Sequence, residues 1–294
     1  MPDHETLHRV ASTFHKNFNA GRFDDNGPLV AEEISVDSNT VRFTGRSRFL
    51  ERIRRFDGPF PGMQLRDRMI LIDGMKAGVH YIMQGEHGGQ FGDLSPTGRK
   101  VEIRGAEIFT FNDEAQMADL VTVNELDRLK AQVSGRESIA EHADITPVDP
   151  GSPHVGHGIA QRERVHQLYD SLSQGDHDAA MVLVAEDIVV QPDGERVEGR
   201  DGFVGYMHRH RSAFPDMTSE IEDVLVDGNR ACVSYHRRGT HRGDLTTLDG
   251  SVVAASGRTF SFRTVDFMRF NRQGLVDELI SVSNGDEVVA QLTD

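Results

Sequence analysis

Two tandem α+β domains are the fold class this sequence predicts, and three observations carry the prediction. The chain repeats itself at an offset of 154 residues: between positions 45–89 and 199–243, 16 of 45 residues are identical. Each copy opens with stretches that are apolar at helical spacing and then turns to alternating runs, the order that gathers helices on one face of a sheet. The length, 294 residues, suits two domains, and a copy of roughly 130 residues can bury its own core. A period this long marks a duplicated domain rather than a solenoid, whose repeats run about 20 to 50 residues.

The elements follow in order. Leu7, Val10, Phe14 and Phe18 in the first copy, and Val165, Leu168 and Leu172 in the second, lie at helical spacing, and each helix stops at a glycine, Gly21 or Gly175. A second short helix ends near Val30 or Val184, and a strand follows around Ile34–Val36 or Ile188–Val190. Gly45-Arg46 and Gly199-Arg200 begin a third helix, with Phe49, Ile53, Phe203 and Met207 as its core face, running to Phe60-Pro61 or Phe214-Pro215. Everything beyond reads as strands. Asp73-Gly74 and Asp227-Gly228 between alternating apolar runs predict hairpins, and the long strands Val101–Phe111 with Ala118–Asn124, and Phe260–Phe270 with Val276–Ser283, complete a mostly antiparallel sheet. The first domain spans 1–133 and the second 159–294. The segment 134–158, with Asp149-Pro150-Gly151-Ser152-Pro153, reads as a linker or as an ordered strap.

Composition narrows the function. A net charge of −15 argues against nucleic acid and against an anionic membrane surface. No apolar run approaches the roughly 20 residues needed to span a bilayer. The polar N-terminus has no hydrophobic signal region, and the one cysteine, Cys232, cannot form an internal disulfide, so the expected compartment is the cytoplasm. His154 and His157 have ligand-like spacing but sit among few other donors, and no metal is expected.

Strand parity then singles out the chemistry. Glu107 shares a face with Val101, Ile103, Gly105, Phe109 and Phe111; Asp266 shares one with Phe260, Phe262, Met268 and Phe270. A carboxyl in an apolar row has its pKa raised unless it is paired, and a carboxyl tuned toward neutrality can exchange protons with a substrate. His87 is in register with Val79 and Tyr81, and His241 with Val233 and Tyr235, so adjacent strands are expected to bring histidine and carboxylate to one ligand. The plain structural alternative is an acid salt-bridged to Arg104, Arg263 or Arg269, and a glycine-flanked turn histidine.

These motifs carry a resemblance. Gly239-Thr240-His241-Arg242-Gly243-Asp244, Gly257-Arg258-x-Phe260 and Asp266-Phe267-Met268-Arg269-Phe270, with Gly85-Glu86-His87-Gly88-Gly89 and Pro96-Thr97-Gly98-Arg99 in the first copy, resemble the SnoaL-like polyketide cyclase family of the wider NTF2-like, ketosteroid-isomerase-like group. The resemblance implies cone-shaped domains, each a curved sheet wrapped around about three helices with an apolar cavity. It also implies a cavity acid that closes a ring by aldol chemistry, or isomerises, without metal or cofactor. By motif position the acids are Asp266 and Glu107, with His241 and His87 beside them, and Tyr235, Tyr81, Phe262, Met268, Ile103 and Phe109 line the ligand site. The expected partner is a small hydrophobic carbonyl compound. The two domains are expected to pack as an intrachain pseudo-dimer, with a homodimer open. The rival function is non-catalytic binding of a small ligand in the same cavity, and a third reading has one copy active and the other structural.

Overall fold

The computed structural model describes residues 1–38, 41–139, 143–148, 157–192, 195–246 and 250–293. It divides the chain into two compact units, Met1–Asp149 and Pro150–Asp294, each an α+β cone.

In unit one, helix α1 (His4–Asn19) is capped by Asp3, whose carboxylate accepts the Thr6 backbone N–H at 2.8 Å. Its buried face, Leu7, Ala11, Phe14 and Phe18, enters the core with Val79, Phe109 and Leu120. A 3₁₀ segment (Phe23–Leu29) leads to β1 (Val30–Ser38) and β2 (Val41–Thr44), then α2 (Arg46–Arg54). Four strands follow: β3 (Gln64–Asp73), β4 (Lys76–Glu86), β5 (Lys100–Phe111) and β6 (Met117–Asn124), closed by α3 (Leu126–Ser134). The sheet order is β2-β1-β6-β5-β4-β3. Only β1 and β6 pair in parallel; the remaining pairs are antiparallel.

Unit two repeats this order. It runs α4 (His157–Gln174), α5 (His177–Met181), β7 (Val184–Gln191), β8 (Val197–Glu198), α6 (Gly199–Ala213), β9 (Thr218–Asp227) and β10 (Arg230–Thr240). A short antiparallel pair, β11 (Leu245–Thr246) and β12 (Val252–Val253), follows. Then come β13 (Thr259–Phe270), β14 (Val276–Val282) and α7 (Gly285–Thr293), and the sheet order is β8-β7-β14-β13-β10-β9.

The repeated motifs have local physical reasons. Arg46 Nε donates to the Val30 carbonyl at 2.8 Å, and Arg200 Nη2 to the Val184 carbonyl at 2.6 Å, so each Gly-Arg ties its helix to the start of the unit's first strand. Asp73 faces Lys76 and Asp227 faces Arg230 across two-residue turns whose glycines, Gly74 and Gly228, have φ of 60° and 61°.

Two expectations are corrected. The second short helix is 3₁₀ in unit one and a single α-turn in unit two. The region after the third helix is not all strand, because α3 and α7 close the two units. Leu129 and Val133, and Val288 and Leu292, are buried at helical spacing on these helices. Of the linker histidines, His154 and the His157 side chain lie outside the described residues. Among the described residues, no helix is long and apolar enough to cross a membrane.

Candidate functional site

In unit one the site forms where α1 crosses the inner face of the sheet. Glu107 on β5 faces Val79 on β4, two residue pairs along from the level of Tyr81 and Gly105. Helix α1 places His15, only 1% exposed, between two strands: its Nε2 lies 3.1 Å from Glu107 Oε2 and its Nδ1 contacts Asp67 Oδ1 on β3. Asp67 reaches the interior because of a bulge. The β3–β4 register shifts between Asp67 and Met69, so Leu65 and Asp67 share the inner face before Arg68, whereas Ile70 and Ile72 hold it afterwards.

Burial alone would lower the His15 pKa, but the charges of Asp67 and Glu107 outweigh it and carry it up to about 10. His15 is therefore an imidazolium at neutral pH, with one N–H for each carboxylate. The Tyr81 ring packs edge-on against His15 at 4.7 Å between centroids. Its hydroxyl donates to Asn124 Oδ1 at 3.0 Å and lies 3.5 Å from Glu107 Oε1. Burial, joined by the Glu107 charge, pushes this phenol well above its ordinary pKa, so it stays protonated. Gly105 makes room for the ring: a Cβ there would stand 2.2 Å from Tyr81 Cζ.

Of these groups Tyr81, Glu107 and Asn124 open onto a pocket whose walls are mostly apolar, including Phe14, Phe18, Phe49, Ile53, Phe56 and Leu120. Its polar lining is Ser38, Arg52, Tyr81, Glu107, Thr122 and Asn124. A carboxylate with a proton-holding neighbour, set against an apolar wall, is the arrangement general acid–base chemistry uses.

Unit two answers with different groups. Tyr169 on α4 stands at the position of His15, and its hydroxyl donates to Asp266 Oδ2 at 2.5 Å. Tyr235 donates to the same oxygen at 3.1 Å, and Arg237 Nη2 donates in turn to the Tyr235 hydroxyl at 2.9 Å. Asp266 is 3% exposed. Burial raises its pKa, and Arg237 and the hydroxyls of Tyr169, Ser281 and Tyr235 offset that only partly.

The expected pairing of histidine with carboxylate is corrected by the strand register. His87 lies eight residues beyond Val79, the partner of Glu107, and His241 lies eight beyond Val233, the partner of Asp266. That is about 26 Å of strand. Each histidine instead clasps the following loop. His87 Nδ1 is 2.9 Å from Thr97 Oγ1, and His241 Nδ1 is 3.1 Å from Ser256 Oγ and accepts the Ser256 N–H at 3.2 Å. Their rings pack on Phe60 and Phe214.

Of the residues expected at the ligand, Tyr81 lines the unit-one pocket with Glu107, whereas Ile103 and Phe109 are fully buried in the core and not in its lining. In unit two, Tyr235 bonds Asp266, Met268 belongs to the main core, and Phe262 joins a separate cluster with Phe260 and Phe214. Sequence reasoning missed His15, Asp67, Asn124, Arg52 and Tyr169. His15 and Tyr169 carried a signal, since each lies four residues beyond an apolar position of the buried helix face, Ala11 and Val165. Asp67 carried none, because the bulge reverses its strand parity.

Comparison with known proteins follows the same division. Residues 8–127 match the model of the SnoaL-like polyketide cyclase, and residues 165–279 match that of the SnoaL-like domain. No curated protein matches the chain. Among solved structures, a candidate SnoaL-like polyketide cyclase from Jannaschia sp. CCS1 is 19% identical over 49% of this chain and 98% of its own, with a TM-score of 0.43. IdmH from Streptomyces antibioticus, a candidate polyketide cyclase, is 24% identical over 46% of this chain and 99% of its own, with a TM-score of 0.40. AclR from Streptomyces galilaeus, a candidate hydroxylase, is 21% identical over 46% of this chain and 96% of its own, also at 0.40.

Proposed function

This chain belongs to the SnoaL-like family as two domains in tandem, and from that premise we propose that its first domain is a cofactor-independent acid–base catalyst acting on a small hydrophobic carbonyl compound, by aldol ring closure or isomerisation. Glu107 removes a proton from the carbon beside the substrate carbonyl and returns it later in the cycle. The His15 imidazolium, fixed by Asp67, holds the carboxylate in place. The Tyr81 hydroxyl and the Asn124 amide are placed to hydrogen-bond the enolate oxygen as charge develops there. Glu107 standing on an apolar pocket beside a buried imidazolium is the observation that carries this reading.

In the second domain Asp266 holds the strand position that Glu107 holds in the first, and the two tyrosine hydroxyls on one of its oxygens favour a structural role for it. The test is α-proton exchange of a bicyclic ketone such as 2-tetralone in D2O, followed by NMR. Glu107→Gln loses about a hundredfold or more of the catalysed rate, while Asp266→Asn stays close to wild type. Exchange undiminished in Glu107→Gln would overturn the role of Glu107, and exchange at the uncatalysed rate in wild type, with ligand still bound, would leave the domain a non-catalytic binding protein.

A further inference from the structure

The Arg52 guanidinium lines the same pocket from α2, at the wall shared with Ser38, Phe49, Ile53 and Phe56. It donates to Ser38 Oγ at 3.2 Å and lies 5.9 Å from the centroid of the Phe43 ring. Among the described residues no carboxylate pairs with it. Its neighbours on the helix are handled otherwise: Arg46 pairs with Glu32, Arg54 with Asp24 and Arg55 with Glu51. Arg48, 4.9 Å from the same Phe43 centroid, adds a further guanidinium with no acid partner among the described residues. Partial burial, then the charges of Arg55 and Arg48, depress the Arg52 pKa. In a chain of net charge −15, a half-buried cation left beside other cations at an apolar pocket is an electrostatic cost that an anion would relieve.

We propose that Arg52 is a specificity-determining residue that holds a carboxylate of the substrate, so that the pocket takes ring-bearing organic acids in preference to their neutral counterparts. The guanidinium fork matches a carboxylate with two parallel N–H···O bonds, and Ser38 already orients the plane from one side. This inference rests on the acid–base reading in placing the substrate in this pocket, but it concerns only what the pocket recognises. The second domain supports the assignment by contrast: at the aligned position it carries Tyr206, a neutral and buried side chain.

The experiment compares binding of 2-naphthoate with 2-naphthamide, a neutral molecule of nearly the same shape. Naphthalene fluorescence reads it directly, because the chain contains no Trp. Wild type binds the acid at least about tenfold more tightly than the amide, the worth of a charge-assisted hydrogen-bond pair. Arg52→Gln abolishes the preference by weakening the acid alone; Arg52→Lys restores part of it; Arg54→Gln, whose residue already pairs with Asp24, leaves it intact. Glu107→Gln keeps the preference while losing α-proton exchange, which separates this inference from the catalytic one. Equal affinity for acid and amide in wild type, a preference surviving in folded Arg52→Gln, or binding of neither probe overturns the proposal.

Discussion

His15 and Tyr169, 154 residues apart in the chain, occupy the same helix position in the two domains and each bonds the strand carboxylate of its own domain: His15 to Glu107 at 3.1 Å and Tyr169 to Asp266 at 2.5 Å. The parallel extends to the strand tyrosine. Tyr81 packs on His15 and Tyr235 on Tyr169 with ring centroids 4.7 and 4.9 Å apart. One scaffold thus holds a charged imidazolium against a carboxylate in the first domain and a neutral phenol in the second.

That difference predicts a pH dependence of stability. The His15 pKa is raised to about 10 in the folded state from an ordinary 6.5. Its contribution is fully present below about 6.5 and is lost as pH rises toward 10. Chemical denaturation across that window is expected to show stability falling in wild type and a shallower fall in His15→Tyr, which copies the second domain. A wild-type profile as flat as that of the variant would contradict the ion pair.

Asp266 shifts stability with pH in the same direction, by burial rather than by pairing. Its folded pKa is raised chiefly by burial, so the folded state holds its proton more tightly than the unfolded chain does. Stability is therefore lost as pH climbs from the unfolded value, about 3.8, through the folded one. Asp266→Asn removes that ionisation and can still accept a tyrosine hydroxyl, so it is expected to raise the melting temperature at pH 7. Scanning calorimetry decides it; a clear decrease at pH 7 would show that the charge itself stabilises the site.

The Tyr81 ring depends on an absence opposite it. With Ala at position 105 the new methyl would meet the ring at 2.2–2.6 Å, too close for a side chain locked between His15 and Asn124. Gly105→Ala is expected to cost about 1–3 kcal/mol by overpacking and to reduce α-proton exchange by displacing the Tyr81 hydroxyl. Urea denaturation and the exchange assay read the two effects. Wild-type behaviour in both would mean that the ring moves aside freely.

The fold was largely legible because the repeat displays each signal twice. The Asp-Gly turns, the alternation along β4 and β5, and the apolar helix faces all rest on local periodicity, and Glu107 and Asp266 emerged from the same parity. What stayed hidden depends on long-range geometry. The separation of His87 from Glu107 follows from strand register, which parity does not reveal, since residues eight apart still share a face. Asp67 was masked by the bulge at Arg68. His15 looked like one more polar residue until α1 was laid across the sheet.

His87 supplies the remaining prediction, because its motif position and its geometry point to different roles. The ring is fully buried, its Nδ1 is held by Thr97, and its backbone N–H and C=O bond Arg99 and Gly98. His241 repeats this with Ser256, Arg258 and Gly257. The glycine two residues later completes the clasp. A Cβ on Gly89 would stand 1.9 Å from the Gly58 carbonyl oxygen, and one on Gly243 would stand 2.2 Å from that of Ser212. A residue holding a loop from this distance affects stability rather than the proton-transfer step. His87→Gln is expected to lose about 1–2 kcal/mol, to speed hydrogen exchange at the Gly98 and Arg99 amides, and to keep kcat within about twofold, since the loss falls far below the hundredfold of an acid–base group. A variant with wild-type stability and a kcat down a hundredfold would return His87 to the chemistry and would require β4 and β5 to bring it far closer to Glu107 than their pairing allows.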